Sequence, residues 1–216
     1  DTGITYTLSD DGKLVISGTG SIADDAFAGN TKITSVVISE GVTGIGSGAF
    51  TGCTNLTSVT IPEGVTTIDG MTFGNCTSLT SVTIPGTVTS IEVQAFWNCS
   101  SLTSITIPAS VTSIGSGVFQ GCTSLTSVKL SEGLTRIGDQ TFGRCNALET
   151  IEIPASLTSI GNDAFKKCAK LRSIRCYANS STWQPRYICD SNTTVYYSYN
   201  PNHTHSYKSH VIKMSG

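Results

Sequence analysis

The residues best suited to catalysis or metal binding lie near the end of this 216-residue chain, where His203, His205 and His210 follow Cys189 and Asp190. Imidazole, thiolate and carboxylate groups bind zinc and transfer protons. In a strand, His203 and His205 would share one face, as a metal site requires. The polar composition around them favours the alternative, a solvated tail. Because the chain also has no nucleophile elbow and no phosphate-cradling loop, we predict no enzyme activity, no catalytic residue, no metal site and no cofactor.

Six of the eight cysteines recur at intervals of 23 residues: Cys53, Cys76, Cys99, Cys122, Cys145 and Cys168. If each interval is one coil of a stack, their side chains point the same way about 4.8 Å apart. Parallel Cβ vectors suit disulfide geometry poorly. We therefore expect buried thiols that pack as small hydrophobic groups. Cys176 and Cys189, near the C-terminal end, are the plausible bonded pair, and alkylation without reductant followed by mass measurement would decide between bridge and thiols.

The phenylalanines show the organisation of the chain. All seven recur at intervals of 23 residues, at Phe27, Phe50, Phe73, Phe96, Phe119, Phe142 and Phe165. Columns of Leu, Val and Ile keep the same period. One set of apolar positions per period in the twenties is typical of a solenoid in which each unit forms one coil. We predict a leucine-rich-repeat solenoid, a right-handed stack of about seven 23-residue coils that is rich in β structure.

Each unit combines a short strand with a turn. In the segment Leu56-x-x-Val59-x-Ile61, Val59 and Ile61 alternate with polar residues as in a half-buried strand. Pro62 is expected to face outward and to end the strand. Spacings of three between Phe50, Cys53 and Leu56 predict a 3₁₀ or single-turn helix before the strand. The predicted structural core includes Phe50, Phe73, Phe96, Phe119, Phe142, Cys53, Cys76, Cys99, Cys122 and Cys145.

Both ends of the chain depart from the repeat. Residues 1–25 predict an N-terminal β-hairpin cap, with a turn at Asp10-Asp11-Gly12, and residues 26–176 form the repeats. Residues 177–216 form an aromatic-rich C-terminal cap and tail. There, Ile188, Tyr197 and Tyr199 would occupy the Phe, Val and Ile columns of a decayed eighth coil. The aromatic residues, Trp183 among them, are interpreted as a lid on the last coil or, alternatively, as a ligand-binding patch.

The repeat unit C-T-S-L-T-S-V-T-I-P-x-x-V-T-S-I-G-x-x-A-F closely resembles the BspA-like leucine-rich repeats, also called the Treponema pallidum type. The opening I-T-Y-T-L-S-D-D-G-K-L-V-I-S-G-T-G resembles the N-terminal cap that often precedes them. The resemblance implies a secreted or surface protein of anaerobic bacteria, or less often of protists. It also implies adhesion to host matrix proteins or epithelium, or co-aggregation between cells. It carries no catalytic or ligand residues over to this chain.

Composition limits the partners. Charged residues make up 13% of the chain, whereas Thr and Ser number 32 and 29. A net charge of −2 argues against a nucleic-acid-binding surface. No apolar run is long enough for a transmembrane helix. The Asp1 start predicts that any signal peptide was removed or never included. We expect a monomer that is secreted or held at the cell surface, binds no nucleic acid and does not insert into a membrane.

Candidate binding residues are those that the repeat does not fix. One exposed column changes from Thr to Lys129, Glu152 and Arg175. Trp97 stands alone in a column of smaller or polar residues, and it either anchors a partner or packs against the next coil. A basic group comprises Lys166, Lys167, Lys170, Arg172 and Arg175, which either solubilise the last full coil or contact an acidic glycan or protein.

The sequence therefore predicts a non-catalytic extracellular binding module that contacts host extracellular-matrix or cell-surface proteins and glycans, or bacterial surfaces. The alternative is a structural spacer or stalk in a larger surface protein.

Overall fold

The chain folds as a β-solenoid of about eight turns with almost no helix, which confirms the predicted fold class. The structure is a computed structural model that describes residues 3–178, 185–197 and 210–212. Among these residues no helix is long and apolar enough to span a bilayer.

Most coils contain two short strands that lie parallel to their copies in neighbouring coils, and the ladder of first strands is interrupted twice. Two N-terminal strands, β1 (Gly3–Leu8) and β2 (Lys13–Ile22), precede them. The first strands of the coils are β3 (Ser35–Ile38), β5 (Ser58–Thr60), β7 (Ser81–Thr83), β9 (Ser104–Ile107), β11 (Ser127–Leu130), β13 (Thr150–Ile153) and β15 (Ser173–Cys176). The second strands are β4 (Val42–Ile45), β6 (Thr67–Ile68), β8 (Ser90–Ile91), β10 (Ser113–Ile114), β12 (Arg136–Ile137) and β14 (Ser159–Ile160). The C-terminal region adds a short helix, α1 (Pro185–Ile188), and strands β16 (Thr194–Tyr197) and β17 (His210–Ile212).

Strand pairing is in register with the 23-residue period. Val59 pairs with Val82, and Ile68 pairs with Ile91, so each side chain stacks on its own repeat. Inward positions are filled by Val, Ile and Leu, most of which are buried, and Val82, Val128, Leu130 and Ile160 are partly buried. One coil alone could not bury these side chains, so stability comes from contacts between neighbouring coils.

The phenylalanines form a continuous column through the core. Neighbouring rings from Phe27 to Phe165 lie 5.4–5.5 Å apart between centroids, with interplanar angles of 2–13°. All five phenylalanines and all five cysteines named in the predicted core are fully buried. Tyr6 extends the column at its N-terminal end, with its ring edge-to-face against Phe27 at 5.0 Å.

The segment around each phenylalanine is a succession of turns rather than the predicted 3₁₀ or single-turn helix. The N–H groups of Thr51 and Cys53 donate to carbonyls three residues earlier, at Gly48 and Phe50. The N–H of Gly52, which lies between them, donates instead to the carbonyl of Gly74 in the next coil, as the N–H of Phe50 does to the carbonyl of Thr72. Because alternate N–H groups bond within the coil and between coils, a continuous helical bonding pattern cannot form.

This alternation requires left-handed backbone at two positions in every coil, two residues before and two residues after the phenylalanine. Glycine fills some of these positions, such as Gly48 and Gly52, with φ of 65° and 71°. Non-glycine residues fill the others: Asp25, Met71, Asn75, Gln94, Asn98, Gln140, Arg144, Asp163 and Lys167. We name this side of the solenoid the turn face.

Ladders of hydroxyl groups explain much of the Thr and Ser surplus. The side chain of Thr57 donates to the carbonyl of Thr34, and Thr80 donates to the carbonyl of Thr57. A second ladder joins Thr112, Thr135 and Thr158 in the same way. Each hydroxyl bonds the coil before it, so small polar side chains connect the coils without placing like charges on each other.

The N-terminal hairpin forms as predicted. β1 pairs antiparallel with β2, and β2 then pairs in parallel with β3 and β4. The hairpin thereby covers the open edge of the first coil. The prediction that Pro62 faces outward is wrong: Pro62, two residues after β5, is buried.

The decayed eighth coil also forms, but its register differs from the prediction. β16 pairs with β15 so that Val195 lies opposite Ile174 and Tyr197 opposite Cys176. Tyr197 therefore occupies the Ile column rather than the Val column, and Tyr199 lies outside the described residues. Cys189 rather than Ile188 stands opposite Phe165. Trp183 also lies outside the described residues.

Candidate functional site

The exposed side chains of the first strands form a surface that we name the strand face. Lys129, Glu152 and Arg175 are all exposed there. Glu152 lies opposite Arg175 in the register, and their side chains form a salt bridge of 3.5 Å between Oε1 and Nη1. Both side chains are about 60% exposed (Arg175 62%, Glu152 60%), so the pair stabilises the fold little. The pair presents a positive and a negative group to solvent, and Lys129 adds a cation in the same column.

The predicted basic group on the last full coil is divided between two faces. Arg175 lies on the strand face, whereas Lys166 and Lys167 lie on the turn face beside Phe165. Lys166 Nζ is 3.9 Å from Asp190 Oδ1. The backbone N–H of Lys167 donates to Asp190 Oδ2 at 2.8 Å. Lys170 and Arg172 are exposed in the loop that leads to β15.

Trp97 lines an open groove on the turn face, which we name the turn-face groove. Its volume is about 800 Å³, and its walls include Gln94, Trp97, Asn98, Gln120, Arg144 and Lys167. Thr123 and Asn146 add a hydroxyl and an amide. The Trp97 side chain is half-buried. The structure thus brings Trp97 and Lys167 to one groove, and it places Lys129, Glu152 and Arg175 on the strand face.

The sequence does not single out Asn98, Gln120 and Arg144. Asn98, Arg144 and Lys167 occupy the column two residues after phenylalanine, in which Gly29, Gly52 and Gly121 also stand. The detectable signal was a cation in a glycine column in two successive coils, at Arg144 and Lys167.

The thiols of the six cysteines in the 23-residue column are buried and donate hydrogen bonds to the backbone. Each Sγ lies 3.0–3.3 Å from the carbonyl of the phenylalanine one coil earlier, as in the contacts from Cys76 to Phe50 and from Cys168 to Phe142. Burial raises the pKa of Cys53 to about 11 and the pKa of Cys122 to about 12. Thiols that stay protonated at neutral pH are poor nucleophiles and poor metal ligands.

Two further cysteines lie in the C-terminal cap. Cys176 and Cys189 are both buried, and burial raises the pKa of each to about 11. Burial, with both thiols nearby, raises the pKa of Tyr197 to about 12. Alkylation still decides whether the two sulfurs are bonded.

The histidines considered as a metal site lie near the C-terminal end of the chain. His203 and His205 lie outside the described residues, and only the backbone of His210 is described, in β17. Within the described residues no three His, Cys, Asp or Glu side chains are placed to hold a metal ion.

Comparison with known proteins identifies the repeat type. The sequence model of the BspA-type leucine-rich repeat region matches residues 20–113 and 89–204, with six copies. The crystal structure of a leucine-rich cell surface protein from Faecalibacterium prausnitzii A2-165 is 33% identical, with a TM-score of 0.71 over 83% of this chain. This chain spans 54% of that protein.

A leucine-rich repeat protein of T. pallidum is 28% identical, with a TM-score of 0.67, over 78% of this chain and 88% of the other. No curated protein matches the sequence. The match to the family model covers most of the chain and agrees with the 23-residue coils of the structure. The chain belongs to the BspA-type leucine-rich repeat family.

Proposed function

We propose that this chain is a non-catalytic binding module of a secreted or cell-surface protein, and that it adheres to host or bacterial surface macromolecules through the strand face. The observation that carries the proposal is the change in one exposed column from Thr60, Thr83 and Thr106 to Lys129, Glu152 and Arg175. The inward columns keep the repeat through the same coils. The scaffold is therefore held constant where the exposed surface changes.

Two facts support this assignment. The F. prausnitzii protein with a similar structure is described as a cell surface protein. Charged and exposed side chains on a repeat scaffold favour specific recognition and faster association with a charged partner. Proteins and glycans of the extracellular matrix, epithelial cells and other bacteria are the partners that we propose.

Binding to immobilised matrix proteins, glycans, epithelial cells and bacterial cells tests the proposal. We expect at least one of these to bind. The double variant Lys129→Thr/Arg175→Thr, which restores the threonine of the column, should weaken binding about 10-fold, because each surface ion pair contributes up to about 1 kcal/mol. Arg136→Ser is the matched control, since it removes a cation from the second strand β12 and restores the serine of that column. No binding to any surface, or unchanged binding by the double variant, would contradict the proposal.

A structural spacer is the second candidate, favoured by the uninterrupted stack of rings and by the greater length of the F. prausnitzii protein. The complete gene discriminates between the two, because a spacer is expected between further domains or beside an anchoring signal.

A further inference from the structure

We propose that the turn-face groove binds an acidic oligosaccharide, a chain of sugars that carries carboxylate or sulfate groups. The inference rests on the proposed function as a binding module, but it concerns a surface other than the strand face and names a class of ligand.

The shape of the groove suits an extended chain. Its walls come from four successive coils, at Asn98, Gly121, Arg144 and Lys167, which are one period apart. Three coil spacings of about 4.8 Å give a length of roughly 15 Å. The groove is open to solvent along this length. A linear oligosaccharide can lie across the coils, whereas a single small molecule would leave most of the groove in contact with water.

The neutral side chains have the chemistry that sugars need. Trp97 is half-buried, so its indole presents a fixed apolar face on which a sugar ring can stack. Gln94, Gln120 and Asn146 line the same groove with amides, which both donate and accept hydrogen bonds. Sugar hydroxyls need donors and acceptors together. Thr123 adds a hydroxyl between Trp97 and the cations.

The cations at the other end select for negative charge. Arg144 and Lys167 stand in neighbouring coils of the same column. Within the described residues neither side chain is in a salt bridge, whereas Lys166 contacts Asp190. Asp163 lines a smaller adjoining pocket with Arg144, Lys166 and Lys167, and Asp190 lies beside Lys166, so three cations there face two carboxylates. This excess of positive charge favours a carboxylate or sulfate on the sugar.

The backbone places the side chains of these residues on the turn face. Gln94, Asn98, Arg144 and Lys167 have φ of 55°, 56°, 62° and 59°, in the left-handed region that side chains with a Cβ adopt with strain. Glycine meets the same requirement elsewhere in these columns, at Gly117 and Gly121. Because the same backbone recurs in every coil, it presents the side chains of these two columns on one face of the solenoid, coil after coil.

Isothermal titration with four probes tests the proposal. The probes are a heparin-derived hexasaccharide, a galacturonate hexamer, neutral maltohexaose and poly-glutamate. We expect at least one acidic sugar to bind more tightly than maltohexaose and poly-glutamate, with affinity falling as salt rises. The two acidic sugars separate sulfate from carboxylate recognition. Quenching of tryptophan fluorescence should accompany binding and be reduced in Trp97→Gln.

The variants locate the site. Arg144→Gly/Lys167→Gly should raise the Kd of the acidic sugar about 10-fold, and it keeps the fold because glycine suits both backbones. Trp97→Gln, which copies Gln120 of the next coil, should raise it at least as much. Arg136→Ser, which removes a cation away from the groove, should leave it unchanged.

The proposal is overturned if neither acidic sugar binds, if maltohexaose or poly-glutamate binds as tightly, or if the groove variants leave the Kd unchanged. In each of these cases binding of matrix proteins or cells that depends on Lys129 and Arg175 would leave the proposed function standing. Conversely, if matrix proteins and cells do not bind but an acidic sugar does, the proposed function of the strand face is contradicted and the sugar site in the turn-face groove stands.

Discussion

The cysteine column shows how a small side chain connects the coils of the repeat. Each thiol is buried and also donates to a phenylalanine carbonyl of the preceding coil, as Cys122 does to Phe96 at 3.3 Å. The prediction from sequence was of thiols that pack as hydrophobic groups. The structure adds a directional contact that connects each coil to the one before it.

Alkaline pH should destabilise the protein through these thiols. Burial raises the pKa of folded Cys122 to about 12, whereas in the unfolded chain a thiol ionises near about 8.5. The stabilisation from a protonated thiol is therefore complete below about pH 8.5 and is lost as pH rises towards about 12. At pH 9 the ionisation of Cys122 in the unfolded chain should lower the free energy of unfolding by about 1 kcal/mol. Urea denaturation under reducing conditions measures this change.

Cys122→Ser provides the control, because serine can still donate to the carbonyl of Phe96 but does not ionise in this range. The free energy of unfolding should change less between pH 7 and pH 9 in this variant, by about 1 kcal/mol. An identical pH dependence in both proteins would show that Cys122 does not titrate on unfolding.

At the scale of the element, the turn around each phenylalanine balances hydrogen bonding against backbone strain. Alternate N–H groups reach the next coil only if two residues per coil adopt left-handed φ. Where glycine is present the conformation is favourable, and where a longer side chain is present it is strained. Arg144, with φ of 62°, is a strained example.

Arg144→Gly should therefore stabilise the fold by about 1 kcal/mol, because glycine removes the contact between Cβ and backbone. Gly121 occupies the same column one coil earlier with φ of 79°. Arg144→Ala is the matched control: it removes the same charge but keeps Cβ, and it should give no gain. Equal free energies of unfolding for the two variants, from urea denaturation, would exclude backbone strain as the cause.

The strands and the core could be predicted from sequence because each position is repeated. The same residue types recur in successive units at the positions of Phe50, Cys53, Val59 and Ile61. Because chance agreement is negligible, the 23-residue period alone identifies these positions as buried. The C-terminal cap occurs once, and the register that places Tyr197 beside Cys176 depends on strand pairing that no repeat reveals.

The candidate site was only partly predictable for a related reason. Trp97 and Lys167 were identified as departures from the repeat. The groove that joins them depends on backbone φ in the turn, which hydrophobic periodicity does not encode. Arg144 stands where glycine is common, and its proximity to Lys167 becomes clear only when the coils are stacked.

At the scale of the whole molecule, the solenoid is a one-dimensional assembly. Each coil contacts its two neighbours, and the cap strands β1 and β2 and the C-terminal strand β16 cover the ends. Charge is distributed along the same axis: residues 1–128 carry 2 basic and 9 acidic side chains, net −7, and residues 129–216 carry 11 and 6, net +5. Both proposed binding surfaces draw their cations from the second part.

A one-dimensional stack should respond differently to the loss of a ring at its centre and at its end. Phe119 is fully buried between rings at 5.5 and 5.4 Å, so Phe119→Ala should destabilise the protein by about 4 kcal/mol. Tyr6 is 63% exposed and contacts Phe27 alone in the column, so Tyr6→Ala should cost about 1 kcal/mol. Amide hydrogen exchange should show faster exchange on both sides of Phe119 in the first variant. In the second, faster exchange should be confined to β1, β2 and β3, because each coil is stabilised mainly by its neighbours. Faster exchange throughout the chain in Tyr6→Ala would show instead that the solenoid unfolds as a single cooperative unit.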